Sequence, residues 1–176
     1  MVESSVQQMD VVECFLADET KTQAFAQKMA SVLADERLWR QGVVIYLQGD
    51  LGAGKSFLAR HFIQAFAPEQ KVKSPTYTLV ESYLLKFETE AFSVHHFDLY
   101  RLCDPEELGF LGVRDLFVPP FIAFIEWPQK GGSLTPEADW ELCLQAVEKG
   151  GKVGRQLRLE AATQVGRQGL ERFHFV

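Results

Sequence analysis

The chain has 176 residues, 47% of them hydrophobic, and a formal net charge of −6, which suits one globular domain with a wet surface. The acidic balance argues against a main partner that is a phosphate backbone, because nucleic-acid affinity comes largely from clustered Lys and Arg. Three cysteines, Cys14, Cys103 and Cys143, are too scattered for a disulfide framework or a structural zinc site and read as small buried hydrophobes. Residues 1–10 have neither the basic nor the apolar part of a signal peptide, and no apolar run approaches the roughly 20 residues of a membrane span. A cytoplasmic protein with no membrane partner is expected. No repeat or low-complexity linker is visible, so residues 1–176 read as a single domain with its core over about 12–163.

The first predicted element is a short strand at Val11–Leu16. Asp18, Thr20 and Thr22 then offer capping side chains. A helix follows, with Phe25, Met29, Val32 and Leu33 at helical spacing. Gly42 breaks that pattern. Residues 43–47, Val-Val-Ile-Tyr-Leu, are apolar on both faces, as in a central strand covered on both sides. They lead into a Gly-rich turn and a predicted helix over 56–66. Strands are predicted at 79–85 and 92–97. Asp104, Pro105, Glu106 and Glu107 form a helix start, with Asp as cap, Pro in the first turn and acids at the positive end of the dipole. Residues 121–125 read as another buried strand ending on Glu126. Two further strands are predicted near 140–147 and 156–161, and the last fifteen residues show no pattern. The expected fold is α/β: a three-layer sandwich of the P-loop NTPase kind, with a central, mostly parallel sheet and antiparallel C-terminal strands.

Gly49-Asp50-Leu51-Gly52-Ala53-Gly54-Lys55-Ser56 matches G-x-x-x-x-G-K-[ST] in full. Glycines let backbone N–H groups curl around phosphate oxygens, and the following helix aims its positive end at the anion. Lys55 is expected on the β- and γ-phosphates and Ser56 on Mg2+. By residue frequency such a match arises by chance in roughly one chain in a hundred of this length, and the strand before it and helix after it reduce that further. The chain contains no Asn, so no N-K-x-D guanine-reading motif exists and ATP is the expected nucleotide.

A Mg2+-nucleotide site needs acids at neighbouring strand ends, because the carboxyl ends of parallel strands line the ligand crevice. Asp98 and Glu126 meet that requirement; the bland alternative for each is a surface carboxylate. Residues 74–78, Ser-Pro-Thr-Tyr-Thr, read equally as a switch segment sensing the γ-phosphate or as an ordinary hydroxyl-rich turn. His95 and His96 face opposite ways in a strand. A structural role suits each better, although one of them could lie near the site. Arg101 and Arg114 could meet phosphate or pair on the surface.

The segments G-D-L-G-A-G-K-S, K-S-P-T-Y-T-L-V-E, H-F-D-L-Y-R-L, D-P-E-E-L, G-V-R-D-L-F and I-E-W-P occur in that order. Together they resemble the TsaE (YjeE) family, bacterial P-loop ATPases of tRNA threonylcarbamoyladenosine synthesis, over about residues 12–160. The resemblance implies work with TsaB and TsaD, which join a threonylcarbamoyl group to the adenosine beside the anticodon. ATP hydrolysis would reset that complex between turnovers, with tRNA met only through it. It implies that Ser56 and Glu126 hold Mg2+, that Asp98 aids hydrolysis beside Lys55, and that Thr76 lies in the switch. It also implies that the nucleotide is lined by Gly49 to Ser56 with Phe57, by Glu19, Thr20 and Thr22 near the base, and by the late pair Gly154 and Arg155. Trp127 follows the acid as in the family. Ser56 stands where Thr is commoner and conserves the hydroxyl. A free-standing kinase would need an Arg-rich lid, which is absent here. A nucleotide-gated scaffold with little turnover is separated less well, since no arginine finger is evident and a partner often supplies one.

Overall fold

The computed structural model describes residues 10–173; the polar segment 1–9, read above as no signal peptide, lies outside the described residues. The chain runs β1 (Val11–Leu16), α1 (Glu19–Asp35), β2 (Val43–Gln48), α2 (Lys55–Phe66), β3 (Val80–Phe87), β4 (Glu90–Asp98), α3 (Glu106–Phe110), β5 (Phe121–Glu126), β6 (Trp140–Lys149), β7 (Lys152–Ala161) and α4 (Gln164–Leu170). Short 3-10 turns occupy Leu38–Arg40, Val113–Phe117 and Pro128–Leu134. No described helix is long and apolar enough to cross a membrane.

The strands form one seven-stranded sheet in the order β1-β7-β6-β2-β5-β4-β3. The inner four, β6-β2-β5-β4, are mutually parallel. β7 turns back antiparallel to β6, and β1 pairs antiparallel with β7. The expected parallel centre and antiparallel C-terminal hairpin are therefore present. An antiparallel β3–β4 hairpin closes the other edge, and its strands run longer than the sequence reading gave them.

The two faces are covered unequally. α1 and α2 pack on the face that carries Val43, Ile45, Leu47, Ile122 and Phe124. α1 brings Phe25, Met29, Val32 and Leu33, all buried, as the period-3.6 spacing requires. Asp18 caps this helix by accepting from Lys21 N–H at 2.9 Å. α4, within the segment where the sequence showed no pattern, joins the same face. Trp140 donates its indole N–H to Gly166 O at 2.8 Å, and Leu170 and Phe173 are buried there. The opposite face carries Val44, Phe97, Ala123 and Ile125 and is roofed by α3 and the 3-10 turns. α3 has five residues. The cap falls one residue later than expected, on Pro105 with no side-chain cap bond, because the helix starts at Glu106; the acids still tie its start, Asp104 Oδ1 accepting from Glu106 N–H and Glu107 Oε1 from Asp104 N–H at 3.0 Å.

The cysteines divide. Cys14 is half-buried and its thiol is pushed up to about 11 by burial. Cys143 is partly buried and Cys103 is exposed, so the buried reading fails for Cys103. His95 is buried on β4, its Nδ1 2.8 Å from Ser82 Oγ. Burial holds its pKa below 6.5, opposed by a hydrogen bond with the Leu116 backbone. The unfolded chain thus binds the proton more readily than the folded one, and His95 favours unfolding as pH falls below 6.5. Thermal melts of wild type and His95→Gln between pH 7.5 and about 5 should show the wild type losing more stability on acidification; equal pH slopes would contradict this.

Candidate nucleotide-binding site

Parallel strands that share a register end together. Leu47 pairs with Glu126, and Asp98 pairs with Glu126. The carboxyl ends of β2, β5 and β4 therefore form one edge, and the loop 49–56 leaves that edge to start α2. Alternation turns His96, Asp98 and Glu126 to the α2 side of the sheet, the side on which Phe92, Val94 and Phe124 are buried.

Among the described residues, the buried polar and charged ones are Thr22, Lys55, His95, His96, Asp98 and Glu126. Lys55, His96, Asp98 and Glu126 gather at this edge. Burying a charge is costly without a partner, so their contacts matter. Lys55 Nζ, 4% exposed as a residue, donates to Gly49 O at 2.7 Å and Asp50 O at 2.9 Å. It also lies 4.7 Å from the Trp127 ring centre. An ammonium has three N–H donors, so one remains for a ligand. Ser56 Oγ donates to Glu126 Oε1 at 2.7 Å, and His96 Nε2 lies 2.8 Å from the same oxygen. Both acids are buried, which removes the surface-carboxylate reading.

Asp98 is fixed twice: its Oδ1 accepts from Tyr100 N–H at 3.1 Å and its Oδ2 from Thr76 Oγ1 at 3.2 Å. Ser74 Oγ is 2.7 Å from Thr76 Oγ1. The hydroxyl-rich segment is thus tied to the strand-end acid and is more than an isolated turn. Two bulky residues hold left-handed backbone beside these groups: Leu79 at φ 65° and Trp127 at φ 57°. Such conformations are uncommon without glycine and gather at functional sites. Within the loop Gly54 has φ 107°, which an L side chain rarely adopts.

A hollow of about 560 Å3 opens on the β1–β7 side of the loop. Glu19 and Thr22 from α1, Gly52, Ala53, Gly54, Phe57, Gly154 and Arg155 line it. Thr22 Oγ1 donates to Asp18 O at 3.1 Å. A second hollow, about 660 Å3, lies beyond Gly49 and Asp50 against Tyr46, Trp127 and Glu141. Two carboxylates line each hollow, Asp18 and Glu19 in the first and Asp50 and Glu141 in the second, but only the first has a cation, Arg155, in its lining. Leu51 stands exposed at the loop tip. Arg101 lies over the Tyr77 ring, 4.4 Å from its centre, and Arg114 is exposed. The sequence reading of the histidines missed the His96–Glu126 contact. The usable signal was spacing: His96 lies two residues before Asp98, hence on its face.

A profile of the family described as "Threonylcarbamoyl adenosine biosynthesis protein TsaE" matches residues 16–157. The chain belongs to the TsaE family. The TsaE protein of Haemophilus influenzae is 38% identical over 165 residues, covering 94% of this chain and 99% of that one. The TsaE protein of Rickettsia bellii is 32% identical over 137 residues, covering 77% and 88%. Both relatives bear the name tRNA threonylcarbamoyladenosine biosynthesis protein TsaE. The crystal structure of Bacillus subtilis YdiB superposes with a TM-score of 0.67 over 92% of each chain at 19% identity, a likeness of fold.

Within this TsaE fold the hollow beside the loop depends on β7 lying close to β1. A Cβ on Gly154 would stand 2.4 Å from Phe15 Cζ and 2.7 Å from Leu16 O. Gly154→Ala should therefore cost ~1–3 kcal/mol of stability, read as a lower urea midpoint at unchanged slope; an unchanged midpoint would contradict the close packing.

Proposed function

We propose that the chain binds ATP and Mg2+ and hydrolyses ATP slowly, as a cytoplasmic accessory subunit of tRNA N6-threonylcarbamoyladenosine synthesis acting with TsaD and TsaB. The observation that carries this reading is the convergence of Lys55, Ser56, Asp98, Glu126 and Thr76 at one edge of a parallel sheet, with the buried Lys55, Asp98 and Glu126 each hydrogen-bonded by neighbouring carbonyls or hydroxyls. The family supports the pathway, and the acidic net charge supports contact with tRNA only through the complex.

The residues suit the ligands. Among the described residues no group of three or more His, Cys, Asp and Glu side chains could hold a metal. Mg2+ commonly takes one or two carboxylates or hydroxyls together with substrate phosphates and water, and Ser56 and Glu126 are two hard oxygens 2.7 Å apart. In this reading they hold Mg2+, which neutralises charge on the β- and γ-phosphates when bound. Backbone N–H groups of Gly52, Gly54, Lys55 and Ser56 face the phosphates, with Gly49, Asp50, Leu51 and Ala53 completing the turn, the Ala53 N–H being held by Asp50 O. Lys55 gives its remaining donor to the β- and γ-oxygens. Asp98, oriented by Tyr100 N–H and Thr76, aligns the attacking water and takes its proton. Glu19, Thr22, Phe57 and Arg155 border the base and ribose. Arg101 stacks on Tyr77 and Arg155 is engaged by the loop backbone. Neither acts as an arginine finger in this arrangement, so hydrolysis is slow until a partner contributes.

Lys55→Ala should weaken ATP binding by roughly 10–100-fold, the worth of a charge-assisted hydrogen bond, whereas Glu126→Ala should chiefly remove the dependence on Mg2+. Titration of labelled ATP into each variant, with and without Mg2+, checks both; wild-type behaviour in either would count against its assigned role. Steady-state hydrolysis should be low for the chain alone and should rise when TsaB and TsaD are added together. A rate that is high alone points to a self-contained enzyme, and one that stays near zero points to a nucleotide-gated scaffold.

A further inference from the structure

Arg155 sits in β7, paired with Leu16 of β1 and Ala146 of β6, and about a hundred residues from the phosphate loop in sequence. Its side chain nevertheless lies on that loop. Nε donates to Ala53 O at 2.8 Å, and Nη2 reaches toward Gly52 O at 3.4 Å, while Nη1 donates to its neighbour Gly154 O at 3.0 Å. Two successive loop carbonyls are thus turned to one guanidinium, the better-made bond being that to Ala53.

A peptide unit is planar, and its C=O and following N–H point in opposite directions. Holding Ala53 O outward against Arg155 therefore turns Gly54 N–H to the other side of the loop, the side from which an anion is cradled. Gly54 sits at φ 107°, where glycine moves freely between conformations, so its amide direction needs an external hold. Ala53 N–H is directed separately, to Asp50 O at 3.1 Å. A rigid planar fork can hold two carbonyls at once, which a single ammonium does less well. Gly154, which tolerates no Cβ against Phe15 and Leu16, brings this segment of β7 close enough for the side chain to reach.

We infer that Arg155 is a positioning residue: it acts on the polyphosphate through the peptide plane of Ala53, setting the Gly54 amide that binds phosphate, and not by reading the base. The inference rests on the ATP-binding reading above and specifies how one residue of that site works.

Inorganic triphosphate separates the two roles because it has phosphates and no base. Wild type, Arg155→Lys and Arg155→Ala are titrated with Mg2+-ATP and with Mg2+-triphosphate by calorimetry, and 1H–15N spectra of the ligand-free proteins confirm folding and report the amides of residues 53 and 54. For Arg155→Ala, both affinities should fall by the same factor, roughly tenfold for one lost charged hydrogen bond. Arg155→Lys should recover only a small part, and the amide signals of Ala53 and Gly54 should move in both variants without ligand. A loss for ATP alone would make Arg155 a base-reading residue and overturn the inference. Full recovery of triphosphate binding by Arg155→Lys would show that charge alone acts, and unmoved Ala53 and Gly54 amides would show that the loop is set without Arg155; each overturns it. Wild type that binds neither ligand would instead refute the ATP reading itself.

Discussion

Everything at the strand-end edge follows from the need to satisfy the Glu126 carboxyl oxygens while they are nearly out of water. At 3% exposure a carboxylate is tolerated when its oxygens accept hydrogen bonds, and Glu126 Oε1 accepts from Ser56 and lies against His96 Nε2. That arrangement requires β5 to end level with the start of α2 and beside β4. The parallel register of β2, β5 and β4 supplies it. Lys55 faces the same problem and meets it with the carbonyls of its own loop. The site is thus a set of buried polar groups, each satisfied by its neighbours.

The unequal coverage of the sheet serves this edge. The α1–α2 face is thick and aromatic: Phe62 packs edge-on to Phe124, and Trp39 stacks on Phe92. Such packing holds α2 rigidly, and with it the direction of Lys55 and Ser56. The other face is roofed by short turns. From it the chain reaches Tyr100, Trp127 and Tyr77, whose rings and cations form the rim of the site. The glycine-rich loop thus has a firm base beneath it and an irregular rim around it, and rigid elements position groups better than loops do.

The antiparallel C-terminal hairpin has a second use. β7 extends the sheet past β6, closes it against β1 and carries Arg155 onto the loop. The hollow lined by Glu19, Thr22 and Phe57 exists because α1, β1 and β7 meet there. The expected site residues therefore gather from six separated stretches of chain, and Glu19, Thr22 and Arg155 line the hollow on the β1–β7 side of the loop.

Local chemistry made much of this legible in advance. A glycine-rich turn between an apolar run and a helical pattern can hardly be anything but a strand, phosphate loop and helix, since the special backbone angles and the Lys-Ser pair are written in consecutive residues. Asp98 and Glu126 were legible as strand-end acids for the same reason, and Asp18 and Asp104 as helix starts. What no local pattern carried was pairing. The parallel register that sets Glu126 beside Asp98, the diagonal contact of His96 with Glu126, the reach of Arg155 to Ala53 and the burial of α4 against Trp140 each join residues far apart in the chain. Residues near in sequence determine elements and their termini, because backbone angles and capping are local. Which charges end up buried together was decided by the tertiary structure alone, through strand order and close packing.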